Sequence, residues 1–269
     1  MQREEKEILR FSRNILVREI GPAGQRKLRS SSVLVVGAGG LGSPALYYLA
    51  SAGVGRLGIV DYDRVDLTNL NRQILFTERD TGRDKVSVAA ERVRAIDSSI
   101  EVDAWKEKVT AENVFSLIEG FDIVVDGTDS FETKFLLNDA CVIAGIPLSH
   151  AGILRFGGQA MSIVPGEGPC LRCLLPQIPS RKDAPTCSEA GIVGSVAGIF
   201  GSIQATEVIK FLTGAGTTLT GRVLSIDTLH WTIQTLQVER NVQCPVCGED
   251  PVIRKPLSAE NYGEICAER

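Results

Sequence analysis

Residues 32–61 constrain the chain more than any other segment. Val33–Val36 is a short apolar run. Gly37, Gly39 and Gly42 follow with GxGxxG spacing and open a helical stretch, and a second apolar run, Leu57–Val60, ends at Asp61. Short continuous apolar runs read as strands buried on both faces, so the order is strand, glycine turn, helix, strand. Glycine permits the tight turn and lets backbone N–H groups approach an anion at the helix N-terminus. An acid about 20 residues on, ending the next strand, can accept hydrogen bonds from ribose hydroxyls. Gly37, Gly39, Gly40, Gly42 and Asp61 therefore predict a bound nucleotide, without separating NAD from ATP. The plainer alternative is a glycine turn that serves only helix–sheet packing.

The alternation continues. Residues 85–96 and 131–144 have helical periodicity, and 100–104, 122–125 and 147–149 read as strands. Residues 160–164, 222–226 and 231–238 read as further strands, the last of them solvated. The expected fold class is α/β: a doubly wound, mostly parallel Rossmann-like sheet extended by antiparallel C-terminal strands, with a four-cysteine zinc site. The expected division is a nucleotide-binding half (1–155), a second half of the same compact unit that bears the zinc site (156–250), and a tail (251–269). An amphipathic helix is expected over 4–17, followed by a loop, GPAGQRKL. Residues 176–190 read as a crossover loop. Residues 192–212 read as a helix rich in small residues, either a core helix or a subunit interface.

With 43% hydrophobic residues, 269 residues suffice for a substantial core. The net charge of −4 speaks against nonspecific nucleic-acid binding. The N-terminus is charged and lacks the apolar core of a signal peptide. Gln204, Glu207 and Lys210 interrupt the most apolar stretch, so no membrane span and a cytoplasmic location are expected.

Asn69, Arg72 and Gln73 follow the second strand, where the sheet's carboxyl edge presents a ligand. Arg72 can grip phosphate oxygens in bidentate fashion. Lys85 opens the next helix, within reach of the same phosphates. Asp129, in DGTD after the fourth strand, suits Mg2+, which takes carboxylate, water and phosphate oxygens. Singly these are ordinary surface charges; together, on successive strand ends, they favour a triphosphate site. His150 and His230 are read as structural.

Of seven cysteines, four form two CxxC pairs, Cys170/Cys173 and Cys244/Cys247. Four thiolates complete a tetrahedral shell and leave no open position, as in a structural zinc site. The metal would pin the C-terminal segment to the crossover region.

The run GAGGLGSPALYYLASAGVGRLGIVDYD, then NLNRQ, DGTD, CLRC and CPVC, resembles the adenylyltransferases that activate sulfur-carrier proteins, the MoeB/ThiF/HesA group related to ubiquitin-activating enzymes. The resemblance spans about residues 8 to 248. It implies ATP-dependent adenylation of the C-terminal glycine of a small ubiquitin-like carrier ending in diglycine, as in molybdopterin, thiamine or related sulfur-transfer biosynthesis. It also implies Mg2+, a homodimer, and a sulfurtransferase or cysteine desulfurase as a further partner. By position, Asp61, Asn69, Arg72, Lys85 and Asp129 match the family's ATP residues. Arg13, in FSRN, matches an arginine that reaches the partner subunit's ATP. Cys187 matches a cysteine that some members use covalently. The alternative reading is an NAD-dependent dehydrogenase with structural zinc, which leaves NLNRQ and Lys85 without a purpose. A nucleotide-sensing scaffold is the non-enzymatic reading.

Overall fold

The computed structural model describes residues 3–178 and 191–257. One eight-stranded sheet runs through it. Its parallel part contains β1 (Ser32–Val36), β2 (Arg56–Val60), β3 (Glu101–Trp105), β4 (Ile123–Asp126) and β5 (Leu148–Leu154). The antiparallel part adds β6 (Gly157–Ile163), β7 (Arg222–Asp227) and β8 (Thr232–Gln237). The strand order is β3-β2-β1-β4-β5-β6-β7-β8. The expected boundary at 155 falls within the β5–β6 hairpin, and the sheet is continuous across it.

The buried strands carry side chains to both faces, as their unbroken apolar runs require. Val33, Val35, Leu57 and Ile59 pack under α4 (Gly42–Ala52) and α5 (Lys85–Ile96). On that side α9 (Gly194–Thr213) adds Ala205 and Val208. Leu34, Val36, Val124 and Leu148 face the other way, against α6 (Val114–Ile118), α7 (Phe131–Ala144) and α8 (Leu171–Leu174). Two small residues of α9 serve close packing. Gly194 backs onto Asn71 and Arg72, and Gly201 onto Leu41 and Pro44, with no room for a Cβ at either. α9 thus clamps the glycine loop from behind.

Three sequence expectations change. The helix expected over 4–17 is two, α1 (Arg3–Arg10) and α2 (Ser12–Ile15), because Phe11 turns inward and buries its ring against Gly53. GPAGQRKL is not a loop but most of α3 (Gly21–Ser30). Pro22 fits the first helical turn, where its missing N–H is no loss. Leu28 is buried, and Gln25 Nε2 donates to Ala52 O at 2.9 Å. The strand expected at 147–149 extends to Leu154 because residues 151–154 pair with β6.

Candidate nucleotide site and four-cysteine cluster

β1 has β2 on one side and β4 on the other, so the connections leaving its carboxyl end diverge there. A crevice at this switch point is where open α/β sheets bind ligands. Gly37 (φ +88°) must be glycine, because a Cβ would sit 2.8 Å from Gly127 O. A cavity of about 1320 Å3 opens above these strand ends. From the glycine loop it runs over the ends of β2 and β4 and on along β5, β6 and β7.

Gly37, Gly39, Gly40, Asp61, Arg72, Gln73, Lys85 and Asp129 all line this cavity. Gly42 starts α4 beneath it, too close to Gly37 O for a side chain. Arg72 lies over Gly40, its Nη1 donating to Thr68 O and Asn71 Oδ1, each at 3.0 Å. Gln73 is buried and its Oε1 has no partner among the described residues. An orphaned acceptor beside a glycine cradle fits a nucleotide that brings donors of its own. Lys85 is 5% exposed and its Nζ donates to Asp63 Oδ2 at 2.9 Å. Asp129 is exposed at the rim.

Asp61 does more than sequence spacing indicates. Its Oδ2 accepts Ala38 N–H and its Oδ1 accepts Asp63 N–H, both at 2.8 Å, so it staples the glycine loop to β2. Burial pushes its carboxyl above the usual range, against the pull of Lys85. Asn69 lies outside the cavity lining and caps a short turn, its Oδ1 accepting Asp66 N–H at 3.2 Å. Arg13 is exposed and remote from this chain's own cavity. Its neighbour Asn14 donates to Ala52 O, at the far end of α4 from the glycine loop. Eleven residues of helix separate the two ends by about 16 Å. Cys187 lies outside the described residues.

Sequence reasoning missed a buried trio, two members of which, Lys134 and His150, line the cavity. Asp126, Lys134 and His150 come from β4, α7 and β5. The only signal was the first acid of DGTD. His150, read as structural, is buried as that reading requires, yet it also lines the cavity.

The four CxxC sulfurs lie within 4.8 Å of one another. Cys170 and Cys244 Sγ are 3.6 Å apart, and Cys173 and Cys247 Sγ 3.4 Å. Four thiolates at about 2.3 Å from a tetrahedral ion would be about 3.8 Å apart, so the donor set fits a closed four-sulfur metal site. Four adjacent thiolates need a cation between them. Asn241 N–H donates to Cys173 Sγ. The first CxxC turn is bolted to α7: Arg172 grips buried Asp139 through two 2.8 Å bonds, and Leu171 N–H donates to Asn138 Oδ1 at 2.8 Å.

Comparison with known proteins agrees with this geometry. A sulfur carrier protein adenylyltransferase of Thermus thermophilus is 42% identical over 97% of this chain and 98% of its own length. A SAMP-activating enzyme E1 of Haloferax volcanii is 45% identical over 96% and 94%. The adenylyltransferase and sulfurtransferase MOCS3 of Aedes aegypti is 42% identical over 95% of this chain, which spans 59% of that longer protein. Among solved structures, E. coli MccB with a succinimide superposes with a TM-score of 0.80 at 26% identity, covering 89% of this chain and 74% of MccB. The Thermus, Haloferax and Aedes relatives are adenylyltransferases and an activating enzyme, so the dehydrogenase alternative is not retained. Residues 11–246, most of the chain, match the ThiF family, and the chain belongs to that family.

Proposed function

We propose that this chain uses ATP to adenylate the C-terminal glycine carboxylate of a small ubiquitin-like sulfur-carrier protein, releasing pyrophosphate. The observation that carries the reading is the two-ended cavity. One end joins the glycine cradle to Arg72, Gln73 and Lys85, and the other continues over the glycines of β5 and β6. A triphosphate suits the first and an extended peptide tail the second. The two relatives that match nearly end to end, an adenylyltransferase of a sulfur carrier and an activating enzyme, support it.

An α-carboxylate, with a pKa of about 3.3–3.7, is already ionised at neutral pH, so attack on the α-phosphorus needs no general base. The carboxylate oxygen bonds to phosphorus as the bond to pyrophosphate breaks. Both reactants are anions, so the chain's contribution is alignment and charge compensation by Arg72 and Lys85. Asp129, with waters and phosphate oxygens, would hold Mg2+, which offsets further negative charge. Asp61 and Gln73 are the candidates for the nucleoside, and Asn69 shapes the turn that carries Arg72. Cys170, Cys173, Cys244 and Cys247 would hold Zn2+ as a structural ion. Residues 1–155 would serve the nucleotide and 156–250 the carrier.

The remoteness of Arg13 supports a homodimer in which it reaches the partner subunit's site. A cysteine desulfurase or sulfurtransferase would then deliver sulfur to the adenylate; the sulfurtransferase named in the longer mosquito relative supports that partner. Cys187 is proposed as a thiol that captures the activated carrier or its sulfur. A cytoplasmic site of action is part of this proposal; among the described residues no helix is long and apolar enough to cross a membrane. ATP–pyrophosphate exchange tests the adenylation. It is expected to require a ubiquitin-like carrier ending in Gly-Gly and to vanish when the terminal glycine is removed. Exchange that ignores the carrier contradicts the reading.

A further inference from the structure

His150 and Asp126 are register partners on β5 and β4. His150 Nδ1 lies 2.7 Å from Asp126 Oδ2. Lys134 Nζ donates to the same oxygen at 3.0 Å and to Ala151 O at 2.7 Å. Asp126 Oδ1 accepts both the N–H and the hydroxyl of Thr128. The three side chains are nearly sealed, with exposures of 0% for Asp126, 6% for Lys134 and 9% for His150. Burial opposes charge on Asp126, but the Lys134 ammonium and the imidazole hold its carboxyl well below the usual range. Burial holds the His150 imidazole below its usual value against the opposing pull of the Asp126 carboxylate, and adjacent Lys134 adds to the lowering.

At neutral pH the ring is therefore uncharged and carries one N–H. An ionised carboxylate can only accept, so Asp126 takes that N–H at Nδ1. Nε2 is left as a bare acceptor. Among the described residues nothing donates to it, and His150 lines the cavity.

We propose that His150 Nε2 accepts a hydrogen bond from a backbone N–H of the carrier's C-terminal tail and so positions the terminal carboxylate against the nucleotide. The inference rests on the adenylation reading above. A lone pair repels phosphate oxygens, so its partner must be a donor. The ribose hydroxyls belong near Asp61, just past the end of β2. Strand β5 is three strands away, about 14 Å at roughly 4.8 Å per strand. On the other side of His150 the cavity continues past Gly152, Gly157 and Gly158. At Gly152 a Cβ would meet nothing within 4 Å, so the side-chain direction there is open. A wall bare of side chains admits a close backbone. An acceptor that reads a peptide N–H is indifferent to side chains, which suits a tail made of glycine.

The test uses a ubiquitin-like carrier completed by ligating a synthetic tail ending in Gly-Gly. In the tail, amide N–H groups are replaced one at a time by ester oxygen. In wild type, one replacement is expected to raise the carrier KM about tenfold, the loss of one hydrogen bond. His150→Asn keeps a donor towards Asp126 but removes the group at Nε2. It should raise the carrier KM by a similar factor, leave the ATP KM unchanged, and make the sensitive ester harmless. If no ester weakens wild type, or if His150→Asn raises the ATP KM as much as the carrier KM, the assignment of Nε2 to the tail is wrong. Wild-type protein without any carrier-dependent exchange would remove the adenylation reading itself, and this inference with it.

Discussion

The Lys85 ammonium is fixed 2.9 Å from Asp63 Oδ2 in the cavity wall, and Lys85 N–H donates to Asp63 O at 3.0 Å. Both the main chain and the side chain close the excursion from β2 to α5, so the cation is oriented before any phosphate arrives. Lys85→Ala should lower the rate of pyrophosphate exchange on the order of a hundredfold, or about 3 kcal/mol, typical for one lost preorganised charge contact. An unchanged thermal midpoint would assign the loss to the site. Full exchange activity in the variant would remove Lys85 from it.

Asp129 is exposed at the cavity rim, three residues after buried Asp126. Its removal should cost little stability. Asp129→Ala is expected to abolish exchange at any Mg2+ concentration while circular dichroism and melting stay as in wild type. Restored exchange at high Mg2+ would mean that the ion is held chiefly by other groups.

The sulfur cluster ties CLRC, already anchored to α7 through Arg172 and Asp139, to the segment after β8. Elemental analysis should find one zinc per chain. Cys244→Ser should lose it and melt several degrees lower, since each kcal/mol is worth roughly 2–4 °C in a chain of this size. A metal-free protein of undiminished stability would contradict a structural metal site.

Arg13 and Asp129 test the assembly. Arg13→Ala and Asp129→Ala chains should each be inactive alone. Mixed after subunit exchange, they should regain part of the activity, because one site in each mixed dimer has both residues. No recovery, with exchange demonstrated by differential labelling, would place Arg13 outside the partner's site.

The buried trio makes a pH prediction of definite sign. His150 titrates below its ordinary value of about 6.5, and Asp126 below about 3.9. In both cases the unfolded chain binds the proton more readily. The stability from neutral His150 is fully present above about pH 6.5 and is lost as pH falls towards the folded pKa. That from Asp126 is lost only below about pH 3.9. Melting temperature should therefore fall between pH 7 and 5, and His150→Asn should flatten that slope. An identical slope in wild type and variant would exclude His150 as its source.

Much of the frame was legible in the sequence. The runs at 33–36 and 57–60, the glycines between them and the periodicity of 85–96 and 131–144 are local signals, and the structure has those elements within a residue. The CxxC pairs were legible because thiol chemistry restricts what such spacing is for. Contacts between distant residues were not. Phe11 ends a helix only because Gly53 receives its ring, and GPAGQRKL becomes helical by packing on Ala52 and Thr213. Asp126, Lys134 and His150 meet only through the register of β4 with β5 and the placement of α7. Lys134 therefore reads in sequence as one more helix-surface charge.

Attack of the carrier carboxylate on the α-phosphorus can be followed with an oxygen label. A Gly-Gly carrier bearing heavy oxygen in its terminal carboxylate is incubated with ATP and this protein, and the adenylate is then released with hydroxylamine. The carboxylate oxygen that bonded to phosphorus leaves with the nucleotide, so the label is expected in AMP. Pyrophosphate should be unlabelled, and the carrier should be recovered as its hydroxamate. Label in inorganic phosphate, or AMP without label, would contradict the account.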